Sequence, residues 1–189
     1  SILALRENQP EVALQQAENA FAHVQQWRDP PTEGSAWWVI GQAQTDLQRF
    51  SEAEEAFRQA ERIFAELKLN HALMETYAAE AFLYFSQGQL SRAREKLNPV
   101  IAYLEPVWVH PFAVSNHQLF GAKHPFRVYW VCYQVLAAQQ DPRAVQVLNA
   151  ARTLLQAMAT HIQEDALWRS YLENDTIHAA IMQGELCYD

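Results

Sequence analysis

Apolar residues return along this chain at helical spacing, in blocks parted by short polar turns. The clearest block runs from Gly34 to Lys68 and predicts two amphipathic helices joined at Arg49–Ser51. Trp37, Ile40 and Gly41 share one stripe of the first helix; Ala53, Phe57 and Ala60 share one stripe of the second. Gly41 and Ala53 are small and permit a close crossing, while Trp37, Ile40 and Phe57 fill the space around it. Such a hairpin cannot bury its apolar face alone, so it predicts neighbours. Residues 1–28 read as the second half of a like unit, with Pro10 at the first helical position. Val12, Ala13, Ala17, Ala20, Phe21 and Val24 follow at helical spacing, and Asp29-Pro30-Pro31-Thr32 is read as the turn that stops the helix. A third unit spans 72–104, with a first helix near 72–87 carrying Tyr77, Ala81 and Tyr84 and a turn at Gln87-Gly88-Gln89. In its second helix Ser91 is the expected N-cap, with Arg94 where a capping box wants Glu. Ala93 and Leu97 take the places of Ala53 and Phe57, and Pro99 is expected to kink or end the helix. Ala13, Ala53 and Ala93 are separated by two equal intervals of 40 residues.

The register breaks over 105–125, EPVWVHPFAVSNHQLFGAKHP, which reads as an insertion with a short helix near 112–120. It returns with a helix over Phe126 to Gln139, a turn at Gln140-Asp141-Pro142 and a helix over Arg143 to Ala159. Ala144, Leu148 and Ala151 take the anchoring places there, Ala144 lying 51 residues after Ala93. Residues 163–184 carry two apolar stripes (Leu167, Tyr171 and Leu172; Ile177, Ile181 and Met182) parted at Asn174-Asp175-Thr176, and are expected to cap the last open face. The expected fold is all-α: one domain over 1–189, an α-α superhelix of antiparallel hairpins. It comprises a partial repeat at 1–28, repeats at 34–69, 72–104 and 126–160, the insertion and the cap.

The spacings W-x2-L-G at Trp37 to Gly41 (with Ile40 for Leu) and A-x3-F at Ala53 to Phe57 resemble the tetratricopeptide repeat. A 40-residue unit is longer than the usual one and is similar to the long-armed repeats of bacterial regulators. From Phe126 onward, FRVYWVCYQVLAAQQDPRAVQVLNAARTLLQAMA and DALWRSYLEN resemble the C-terminal repeat region of large bacterial signalling proteins. In those an AAA-type or STAND-type ATPase precedes the repeats, often with a cyclase, kinase or DNA-binding module elsewhere. Asp175-Thr176 departs from the Val-Pro that such tails often carry. The resemblance implies a fragment of a larger protein, beginning inside a repeat array, with no catalytic residue of its own.

Composition narrows the picture. Half of the 189 residues are hydrophobic and 12% aromatic, enough for a substantial core. A net charge of −8 without any Lys/Arg run disfavours a nucleic-acid partner. Two distant cysteines, Cys132 and Cys187, fit a reducing compartment. Without an apolar run long enough for a membrane span or a leader-like start, the chain reads as cytoplasmic, with no membrane partner.

The candidate chemistry is sparse. The five glycines are isolated, so neither a P-loop nor a dinucleotide turn is present, and no nucleophile elbow or zinc helix occurs. His110, His117 and His124 recur every seven residues, but on one helix successive rings would stand ~10.5 Å apart. A single zinc needs each ligand within ~2.1 Å, so these are read as loop histidines, with no metal and no cofactor expected. The better candidates line the concave face expected of the first helices: Trp38 and Gln42, Phe82 and Phe85, Tyr129 and Tyr133. An aromatic stripe of that kind suits an amphipathic helix or extended peptide. The Lys and Asn of a chaperone-tail clamp are missing where Trp38 and Val39 stand. The expected function is therefore a non-catalytic interaction and regulatory module of a larger signalling or transcription-regulating ATPase. The alternative is a receptor for a peptide or small molecule, with 105–125 as a lid. Homodimerisation through the open face of 1–28 is a further expectation.

Overall fold

The computed structural model describes residues 9–27, 29–109 and 121–184. Among them are nine α-helices and no strand: α1 Pro10–Trp27, α2 Pro30–Asp46, α3 Phe50–Glu66, α4 Asn70–Ser86, α5 Leu90–Val109, α6 Pro125–Ala138, α7 Arg143–Ala159, α8 Asp165–Glu173 and α9 Thr176–Gln183. The fold is all-α. The starts of α1 and α3, of α2 and α4, and of α3 and α5 each lie 40 residues apart. Ala13, Ala53 and Ala93 are each the fourth residue of their helix, each fully buried, and each donates its N–H to the carbonyl four residues back.

The turns share one chemistry. Gln48, Lys68, Gly88 and Gln140 all have φ between 55° and 70°, in the left-handed region. The next residue in each turn sends its N–H back to a helix carbonyl: Arg49 to Gln44, Leu69 to Phe64, Gln89 to Tyr84 and Asp141 to Leu136. This left-handed closure satisfies carbonyls that the helix end leaves open. Only one of the four positions is glycine.

Several helix boundaries differ from the sequence expectation. Pro30 and Pro31 do not stop a helix but begin one, occupying the first two positions of α2. A missing N–H is harmless there because those donors have no partner within the helix. The α2–α3 turn is Leu47–Arg49, so Ser51 lies in α3. Ser91 falls inside the first turn of α5, which starts at Leu90. Pro99 does not end α5, and the helix runs through Pro106 to Val109, so residues 105–109, expected to open an insertion, are helical. Both prolines are exposed, as are Glu95 and Ala102 four residues before them. The carbonyls they leave without a donor therefore lie on the wet side. Val100, Ile101 and Leu104, on the other side, are buried. The short helix expected near 112–120 lies outside the described residues.

Each helix packs on the next, and α4 also lies against α2 and α6. The helices α2, α4 and α6 are buried on most sides, whereas α3 presents one stripe of Ala53, Ala56, Phe57, Ala60, Ile63 and Phe64. Gly41 sets the α2–α3 distance, since a Cβ there would stand 2.6 Å from the Phe57 ring. Phe21 of α1 meets Trp37 edge to face at 4.6 Å, while Val12 and Ala20 on the outer side of α1 stay exposed.

The core divides into two clusters that meet at α4. One joins α1, α2 and α3 to Ala79 and Leu83; the other joins Met74, Ala78, Ala81 and Tyr84 to the helices that follow. Helices α8 and α9 close the second cluster, Arg152 donating to the Ile181 carbonyl at 2.8 Å and Tyr133 to the Gly184 carbonyl at 3.2 Å. A polar seam ties α3, α4 and α5. Arg92 bonds Glu54 at 3.2 Å and the Tyr84 hydroxyl at 3.0 Å, and Lys96 joins Glu61 at 3.1 Å to Glu80 at 2.8 Å. None of the described helices is long and apolar enough to cross a membrane.

Candidate functional site

A buried indole, Trp38, a buried acid, Glu75, and the segment 121–124 come together between α2, α4 and the start of α6. Trp38 lies about two turns past the start of α2, which begins at Pro30, and Val39 and Ile40 after it are buried as well. Its indole N–H points to the Glu75 carbonyl of α4 at 3.5 Å. Residues 121–124 lead into α6 across this surface, and the His124 ring lies over the indole at 5.3 Å, within 5° of parallel.

Glu75 holds that segment. Its carboxylate accepts the His124 N–H at 2.5 Å. Burial pushes the carboxyl above the usual carboxylate range; the N–H groups of His124 and Lys123 and the Lys123 charge pull it back. The Lys123 ammonium donates to the Ser35 hydroxyl at 2.9 Å. Acid, indole, hydroxyl and imidazole thus come from three separate stretches of chain.

The segment stands between two recesses. The smaller, ≈ 200 Å³, lies between the starts of α2 and α4 and is lined by Trp38, Phe64, His71, Glu75 and Lys123. The larger, ≈ 840 Å³, opens towards α8 and α9 and is lined by Trp38, Phe126, Arg127, Tyr171, Asp175 and His178. Its acid is engaged, because Asp175 accepts the N–H groups of Ile177 and His178 as the cap of α9. His178 is oriented by a 2.8 Å bond between Nδ1 and the Tyr171 carbonyl and by the Phe126 ring edge at 4.7 Å. Arg127 packs over the Phe82 ring at 5.6 Å; the scarcity of water lowers its guanidinium and raises Asp46, each opposed by the other's charge.

The six residues expected along an open face are mostly packed. Trp38, Gln42, Tyr129 and Tyr133 are buried, and Phe82 and Phe85 are half-buried. Trp38 lines both recesses; Tyr129 and Tyr133 belong to the second core cluster, with Phe82 and Phe85 against it. Gln42 is 1% exposed, and among the described residues its amide has no hydrogen-bond partner. Of the three spaced histidines, His124 sits on Trp38, and His110 and His117 lie outside the described residues. No group of three potential metal ligands occurs among the described residues. Burial pushes the Cys132 thiol far above its ordinary range, which suits packing and not nucleophilic attack.

Glu75, Lys123 and His178 did not stand out in the sequence. Two of them leave a trace: Glu75 is a single charge within ALMETYAA, and Lys123 stands two positions before Pro125. Comparison of the chain with protein-family models, with curated proteins and with solved structures gave no match.

Proposed function

We propose that this chain is a helical-repeat module of the tetratricopeptide kind, a short solenoid that binds a protein or peptide segment and carries out no catalysis itself. The observation that supports the reading best is the recess of ≈ 840 Å³ between the start of α6 and the α8–α9 pair. It combines aromatic walls (Phe126, Tyr171 and the edge of Trp38) with side chains of both charges and a buried, oriented histidine. Aromatic anchors beside a few fixed polar groups are the make-up of peptide-binding surfaces. The 40-residue register of α1 to α5 supports the repeat reading. In this reading the module serves a larger cytoplasmic regulator of bacterial type, whose other domains supply any nucleotide chemistry.

The test is a selection of displayed peptides on the chain, with a Tyr171→Ser/Arg127→Ser variant as counter-target. Peptides retained by the parent and lost by the variant support the reading. A selection that yields none, or ATP turnover by the chain, overturns it.

A further inference from the structure

The Trp38–Glu75 surface already has an occupant in the chain's own residues 121–125. The contacts that hold it are directional. An imidazole lies flat on an indole at 5.3 Å, a main-chain N–H enters a carboxylate at 2.5 Å, and an ammonium reaches a hydroxyl at 2.9 Å. Gly121 sits beside His71, with room for a Cβ at 3.7 Å from that ring. A stacked ring, a captured main-chain N–H and a side-chain cation are what a bound non-helical peptide offers a receptor. The occupant also divides the surface, because Trp38, Lys123 and His124 line both the ≈ 200 Å³ and the ≈ 840 Å³ recesses.

We infer that residues 121–125 are an intramolecular stand-in for the partner. The partner segment is non-helical, lays a flat ring over Trp38, sets a lysine or arginine beside it and gives main-chain N–H groups to Glu75. The charge requirement follows from Glu75. Among the described residues it is the only acid lining the smaller recess, and when Lys123 leaves, the buried carboxylate has lost the cation that acts on it. A partner must restore that charge, since a buried unpaired carboxylate is costly. The internal segment also competes. A tethered ligand acts at an effective concentration on the order of millimolar, so a free partner binds more weakly by the fraction of seats left open. The inference rests on the interaction-module reading and names the chemistry of its partner.

The probe is a blocked, dye-labelled peptide of residues 121–127, GAKHPFR, titrated into the full chain and followed by anisotropy. A Lys123→Ser/His124→Ser variant is expected to bind it at least about tenfold more tightly than the parent. Adding Glu75→Gln is expected to remove the gain. Lys123→Ser alone changes only an exposed side chain, so it leaves the fold intact, and is expected to give a smaller gain in the same direction. Equal binding to parent and variants, or no binding to either, overturns the inference. If selected peptides bind the larger recess while this probe shows no such difference, the interaction-module reading survives and only the stand-in is refuted.

Discussion

Gly41 and Gly88 are both glycine, for unrelated reasons. At Gly41 the obstacle is space, since a Cβ would lie 2.6–2.9 Å from atoms of the Phe57 ring. Gly41→Ala is expected to lower stability by about 1–3 kcal/mol, read from the urea midpoint, because neither the ring nor the helix can easily yield. At Gly88 no atom lies within 4 Å of the added methyl, but φ is +70°. Gly88→Ala is expected to cost about 1 kcal/mol through the backbone alone. The reverse change, Gln48→Gly or Lys68→Gly, relieves the same conformation and is expected to raise stability by up to about 1 kcal/mol each, read from the urea midpoint. The close crossing at Gly41 was legible because a small residue between large apolar ones leaves little else to read. The role of Trp38 was not, because what defines it, Glu75 and His124, stands 37 and 86 positions away.

At the scale of the element, α4 carries acids where its apolar length gave no hint of them. Glu80 is 2% exposed, and its carboxyl is pushed up to about 7, first by burial and then by the nearby Glu61 and Glu54, against the pull of Lys96. Between pH 4.5 and about 7 the folded chain holds a proton that the unfolded chain has released. This contribution therefore favours folding fully below pH 4.5 and is lost as the pH rises through about 7. The unfolding free energy of the parent, followed by urea titration, is expected to fall between pH 5 and pH 8 by roughly 1–3 kcal/mol from this group, with a flatter profile in Glu80→Gln. Helix boundaries followed the periodic pattern to within a residue or two except at prolines, whose meaning depends on position. Pro30 opens a helix that it was expected to separate from the one before, and Pro99 sits on a wet face where its cost is small. Arg94 looked like a failed cap; instead it pairs with Asp141 at 3.1 Å, tying α5 to the α6–α7 turn. Pairings between distant elements leave no local signal.

Across the whole molecule, two core clusters share α4 and little else. Leu83 is fully buried and belongs to the cluster of α1 to α3. Leu83→Ala is expected to cost about 2–5 kcal/mol. In hydrogen exchange, amide protection should fall first in α1 to α3 and persist in α6 and α7, as in chains whose units contact only their neighbours. Uniform loss along the chain would show one cooperative core instead. The register itself was readable from three alanines. The opening towards α8 and α9 was not, because it depends on how the last helices fold back.

The three-residue turns at 47–49, 67–69 and 87–89 set a fixed beat, and that beat decides which changes of length the chain can absorb. Excising residues 50–89 would join Arg49 directly to Leu90, bringing Ala93 and Leu97 to the stations of Ala53 and Phe57. One residue lost inside α3 would instead swing every later side chain by about 100° and point its oily stripe at water. Such a chain can grow or shrink by a whole hairpin, while a slip of a single codon would ruin it.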